Sequence, residues 1–150
     1  MVGRNLGAAG LVLAMAGGGT GGAAAGGDPL AQHLWTSRVL VLSAPDAADP
    51  RLRGQREALA SARTDAKARD LVVVEAVGPG AEAETLRRRL DLPARAFRAV
   101  LVGKDGGAKL TASEPIAPQR LFATIDAMPM RRDEMRRDEM RRNEMRRDGR

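Results

Sequence analysis

The chain has 150 residues, 43% of them apolar and 29% charged, with a formal net charge of +6 and no cysteine. One domain is the default for this length. The lack of cysteine excludes disulfides, thiolate chemistry and a cysteine-borne lipid anchor, so stability rests on an ordinary core.

The chain opens with Arg4 and an apolar run over residues 6–16, LGAAGLVLAMA. A Gly/Ala-rich stretch follows, ending at Ala23, Ala24 and Ala25. The run is shorter than the about 20 apolar residues of a membrane span. It has the make-up of a cleaved secretory signal over residues 1–25, with the cut after Ala25. Residues 26–36 read as a linker, and His33, the single histidine, falls within it.

RVLVL, residues 38–42, is a compact apolar run typical of a strand buried on both faces. Pro45 and Pro50 punctuate the loop after it. Asp49-Pro50 is a helix start, with Asp as cap and Pro at the first helical position. The helix is expected over residues 50–68, with Leu52, Leu59, Ala62 and Ala66 on its apolar face. LVVVEAV, residues 71–77, is a second buried strand. Residues 81–90 form a short helix on Ala83, Leu86 and Leu90. FRAVLV, residues 97–102, is the third strand. Asp105-Gly106 supplies the positive φ of a hairpin turn, so residues 108–112 return as an antiparallel fourth strand. Pro115 and Pro118 introduce a last helix with Leu121, Phe122, Ile125 and Met128 as its buried stripe, and Pro129 ends or kinks it.

The order is β-α-β-α-β-β-α. Helices between the first three strands favour parallel pairing among them. The expected fold is α/β and thioredoxin-like, a central mixed sheet of about four strands with flanking helices. The domain is placed at residues 37–130, with a charged extension over 131–150.

Four stretches carry a family resemblance: RVLVLSAP with DPRLRGQR, ARDLVVVEAV, FRAVLVGKDGGAKL and LFATIDAMPMRRDEMRR. Together they resemble the bacterial domain-of-unknown-function family called P-DUDES, whose relatives occur in sushi-repeat-containing proteins and Equarin. The resemblance runs over residues 35–137, and GKDGGAKL and IDAMPMRRDEM are its most specific pieces. It implies a thioredoxin-like fold and a place outside the cytoplasm, and it names no activity. It also implies Arg69, Asp70, Lys104, Lys109, Arg131 and Arg132 as family-type polar positions without an assigned role.

A thioredoxin-like enzyme holds its reactive cysteine just after the first strand, and SAPDAADPRLRG stands there instead. Thiol oxidoreductase and peroxidase activities are therefore excluded. The same analogy puts any polar site over residues 45–55, facing residues 93–97. Asp46, Asp49 and Gln55 would be its side chains if a non-thiol enzyme gathered them in one cleft. No catalytic residue, metal ligand or cofactor site is assigned. One His and no Cys leave only carboxylates for a metal, and no calcium-loop spacing is present. Lys104-Asp105-Gly106-Gly107 lacks the phosphate-loop pattern and reads as a tight turn. Arg87, Arg88 and Arg89 fan across about 200° of helix and read as a solvated surface.

Residues 131–150 repeat Met-Arg-Arg-Asp-Glu and carry nine Arg and six acids. Met130, Met135, Met140 and Met145 recur every five residues, about 140° apart on a helix, so they form no stripe for a coiled coil or a membrane surface. Asp133 with Arg137 and Asp138 with Arg142 are acid-first i,i+4 pairs that suit a solvated helix fraying toward its end. The functional expectation is a monomeric, periplasmic or secreted binding module. Its partner would be a protein or a small anionic ligand, with no specific nucleic acid and no membrane span after signal cleavage. The rivals are a non-thiol enzyme and polyanion binding through Arg87, Arg88, Arg89 and the tail.

Overall fold

The computed structural model describes residues 27–149, so the expected signal over residues 1–25 lies outside the described residues. The protein is α/β, as expected, with one four-stranded mixed sheet. Strand β1 is Arg38–Ala44, β2 is Leu71–Val77, β3 is Arg98–Val102 and β4 is Ala108–Ala112. The sheet order is β2-β1-β3-β4. Helices α1 (Pro50–Ser61), α2 (Arg63–Lys67), α3 (Ala81–Leu90), α4 (Pro118–Asp126) and α5 (Pro129–Asp148) surround it. No described helix is long and apolar enough to cross a membrane.

β1 sits in the sheet centre and is buried at all seven positions. Its alternate side chains feed two cores. Leu40, Leu42 and Ala44 join Leu52, Leu59, Leu121, Phe122 and Ile125 from α1 and α4. Val39 and Val41 join Ala83 and Leu86 of α3 on the opposite face, together with Leu30 from the preceding segment.

The parallel expectation holds for β1 and β2 and fails for β3. β1 pairs β2 in parallel, Arg38 opposite Leu71 through Ala44 opposite Val77. β3 runs antiparallel to β1, with Val39 opposite Val102 and Ser43 opposite Arg98. The reason is the length of the connection. After α3 ends at Asp91, in the left-handed conformation, residues 91–97 can reach about 23 Å at full extension. That is enough to carry the chain back across the sheet, so β3 enters from the other end. β4 then pairs antiparallel with β3, as expected, through a turn in which Gly106 has φ 81° and Asp105 Oδ1 accepts from the Gly107 amide.

The helix expected over residues 50–68 is two helices, broken at Ala62, whose ψ of 24° leaves the helical region. Asp49 caps α1 as expected, accepting from the amides of Arg51 and Leu52. α4 ends at Asp126, ahead of Pro129 as expected, and Pro129 opens a further helix, α5. The tail is helical well beyond its first turns, since α5 continues to Asp148. Its ion pairs also differ: Asp133 binds Arg136 and Asp138 lies 3.8 Å from Arg141, both i,i+3.

Candidate functional site

Arg38 begins a fully buried strand and points to the α1/α4 face. Its side chain is 1% exposed, a costly place for a guanidinium without partners. Nη1 donates to the Arg69 carbonyl at 2.9 Å. Both terminal nitrogens reach Glu134 of α5, at 3.3 and 3.2 Å. Lys104, in the β3–β4 turn, donates to Glu134 at 2.7 Å and to Asp70 at 2.9 Å. Arg131 reaches Glu134 and Asp126, each at 3.4 Å. Arg69 closes the chain with a two-pronged pair to Asp126, at 3.0 and 2.8 Å, and its guanidinium lies 4.6 Å over the Phe122 ring.

Seven charged side chains are thus joined by side-chain hydrogen bonds into one network: Arg38, Arg69, Asp70, Lys104, Asp126, Arg131 and Glu134. Burial opposes the ionisation of Glu134, yet the hydrogen bonds from Lys104 and Arg38 outweigh it and hold the carboxyl below its ordinary value. The Arg69 hydrogen bond does the same for Asp126, with Arg131 assisting against burial. Every carboxylate in the network already accepts from a cation. The arrangement ties β1, the β3–β4 turn, α4 and α5 together.

Four of the expected polar positions, Arg69, Asp70, Lys104 and Arg131, meet here. Sequence reasoning missed Arg38, Asp126 and Glu134. An Arg opening a doubly buried strand was a usable signal, because such a charge demands a partner. Glu134 had no local signal, since Glu139 and Glu144 occupy the same place in later repeats.

The remaining candidates lie elsewhere. Lys109 pairs with Asp105 at 2.8 Å across the turn. Arg132 is exposed on α5. Gln55 is fully buried: Oε1 accepts from the Ile116 amide at 2.7 Å and Nε2 donates to the Ile116 carbonyl at 3.0 Å, which clamps α1 to the segment before α4. Asp46 and Asp49 accept from backbone amides at their own loop and helix end. The three side chains of the enzyme rival are each occupied by main chain. Arg87 corrects the expectation of a solvated helix surface. It is buried and donates to Ser43 Oγ and to the carbonyls of Ala44, Ala76 and Gly78. Arg89 pairs with Asp28 at 2.9 Å. No metal-binding cluster of acids and histidine occurs among the described residues.

A groove of about 610 Å³ lies where α1 and α2 overhang β2. Leu59, Ala66, Leu71 and Val73 line it, with Arg56, Arg63 and Lys67 at its rim. It runs along the outer edge of the sheet, since β2 is the terminal strand.

The profile of the family described as "Domain of unknown function (DUF4174)" matches residues 29–134. The matched stretch ends on Glu134, the α5 residue that docks onto Arg38 and Lys104. The chain is 34% identical over 119 residues to "Sushi repeat-containing protein SRPX" of Rattus norvegicus, covering 70% of this chain and 26% of the rat protein. It therefore spans about a quarter of that relative's length. No solved structure matches the chain. A family profile that covers most of the sequence, including both ends of the ion network, places this chain in the DUF4174 family.

Proposed function

We propose that the protein is an exported, non-catalytic binding module on a thioredoxin-like scaffold, active in the periplasm or outside the cell. The observation that carries this reading is how the polar groups are used. Arg69, Asp70, Lys104, Arg131 and Gln55 are all bound to internal partners, whereas the groove along β2 is apolar and open. Convergent acid–base pairs mark an active site and concave apolar surface marks a binding site. The scaffold reading is supported by the strand order β2-β1-β3-β4, in which β3 alone runs against the other three strands. Export is supported by the apolar run at residues 6–16 and the small residues before Gly26. The chain has no cysteine, so the scaffold works without thiol exchange.

The test expresses the full gene in a Gram-negative bacterium and recovers the product from the periplasm. The intact mass should correspond to a chain beginning near Gly26. Used as bait against envelope proteins, that product and a variant ending at Arg137 should hold the same protein partner. A cytoplasmic product of full mass overturns export. Empty baits, with turnover of a small molecule by the purified protein, overturn the module.

A further inference from the structure

The outer edge of β2 is an unfilled strand position. Backbone bonds fix which groups face it. The Asp70 carbonyl accepts from the Arg38 amide, and the Gly78 amide donates to the Ala44 carbonyl. Even-numbered residues of β2 therefore pair with β1. The amides and carbonyls of Leu71, Val73, Glu75 and Val77 face outward. They have no backbone or side-chain partner among the described residues. The side chains of these same four residues lie on the α1/α2 side, beneath the groove.

Edges of this kind invite another strand, and folded proteins usually blunt them with charge, proline or a covering loop. This one is seven residues long and reads LVVVEAV. Its single charge, Glu75, is held by Arg56 at 2.7 and 2.5 Å. Val73 is left 43% exposed.

The rim sets the partner's chemistry. Both acids at the groove are already paired, Glu75 with Arg56 and Asp70 with Lys104. Arg63 and Lys67 have no side-chain partner among the described residues. Unpaired charge at the groove is thus positive. A second copy joined edge to edge would bring two such rims together, like charge facing like.

From this we infer that β2 is the docking edge for an extended, acidic peptide segment of a partner protein. The segment adds a strand beside β2, sets small apolar side chains over Leu59, Ala66 and Val73, and places a carboxylate against Arg63 and Lys67. Main-chain bonds supply affinity and the pockets supply choice, as in other strand-addition binders. This rests on the binding-module reading and names its surface and partner class.

The experiment uses the periplasmic product, labelled with nitrogen-15, and an acetylated, amidated peptide Asp-Glu-Val-Thr-Val-Thr-Val-Asp-Glu as probe. Addition of the peptide should slow hydrogen exchange at the amides of Leu71, Val73, Glu75 and Val77 and leave Val72 and Val74 unchanged. N-methylation of alternate peptide residues should abolish the effect. Exchanging the peptide's acids for lysines should weaken binding about tenfold, the size expected of two exposed charge contacts. The double variant R63E/K67E, altered only at exposed rim positions, should reverse that preference with its melting temperature unchanged. Four amides that stay indifferent to the peptide, or equal binding of acidic and basic forms, overturn the proposal. So does slow exchange at those amides in the free protein, the mark of a second copy on the edge. If the peptide fails while the periplasmic bait still holds a partner, strand addition falls and the module stands.

Discussion

Replacing Glu134 with alanine tests the ion network with controls built into the same helix. Glu134, Glu139 and Glu144 follow almost identical repeats on α5, so helix propensity and local charge are nearly matched. Only Glu134 docks. It is 16% exposed and accepts from Arg38, Lys104 and Arg131, whereas Glu139 and Glu144 face solvent. Without Glu134, the Arg38 guanidinium keeps one carbonyl partner, and its Nε is already without one. Breaking a buried pair from one side costs roughly 3–5 kcal/mol. Water can reach the Lys104 side, so the lower end applies, about 3 kcal/mol. For a domain of this size that lowers Tm by about 10 °C. Glu139→Ala and Glu144→Ala should each stay within about 0.5 kcal/mol of the parent. Thermal and urea unfolding at neutral pH, followed by circular dichroism, measure all three. Equal effects for the three variants, or a loss below about 1 kcal/mol for Glu134→Ala, would refute the idea that α5 is clamped through Arg38.

Other outcomes follow from the same contacts. Arg38→Met combined with Glu134→Gln should be less destabilised than the sum of the single variants, by roughly 0.5–3 kcal/mol, as a double-mutant cycle in urea would show. Ending the chain at Arg137 should leave Tm within about 2 °C while helical ellipticity falls, because the repeats beyond it are exposed. Ending it at Met128 should match the Glu134→Ala loss. Gln55→Leu strands the Ile116 amide and carbonyl and should cost about 3 kcal/mol in urea unfolding. Glu134 and Asp126 have folded-state values below their ordinary ones. Their contribution is therefore complete above the unfolded glutamate value of 4.5 and is lost as pH falls through the lower folded values. Stability should be flat from neutral pH down to that point and decline below it. The decline should be shallower in Glu134→Gln.

The strands were legible because their signals are local. RVLVL, LVVVEAV and the Asp105-Gly106 turn each carry their own pattern, and β2 and β4 fall where the residues put them. The direction of β3 was not legible, because it depends on how far residues 91–97 travel, and no residue in that loop encodes the destination. The break at Ala62 was hidden for a related reason. Alanine favours helix, so only packing on either side can interrupt it. In the candidate site, Arg69, Asp70, Lys104 and Arg131 stood out through the family-like motifs. Their partners did not, since Glu134 repeats a unit copied twice more and Asp126 ends an ordinary helix. The tail divides in the same way: its first turn belongs to the network, and nothing in the repeated unit distinguishes that turn from the next.

The central claim is that the conspicuous charges hold the body together and the β2 edge does the binding. The most direct measurement is a crossed comparison of two baits made from the periplasmic product. One carries R38M/E134M, which dissolves the centre of the ion network and leaves the Lys104–Asp70 pair in place; the other carries R63E/K67E at the groove rim. The account predicts that the partner held by the parent stays with the first bait, despite its lower Tm, and is lost from the second, whose Tm is unchanged. A partner kept by the rim variant and lost from the network variant, with both folded at the assay temperature, would contradict it and move the binding surface to Arg38, Lys104 and α5.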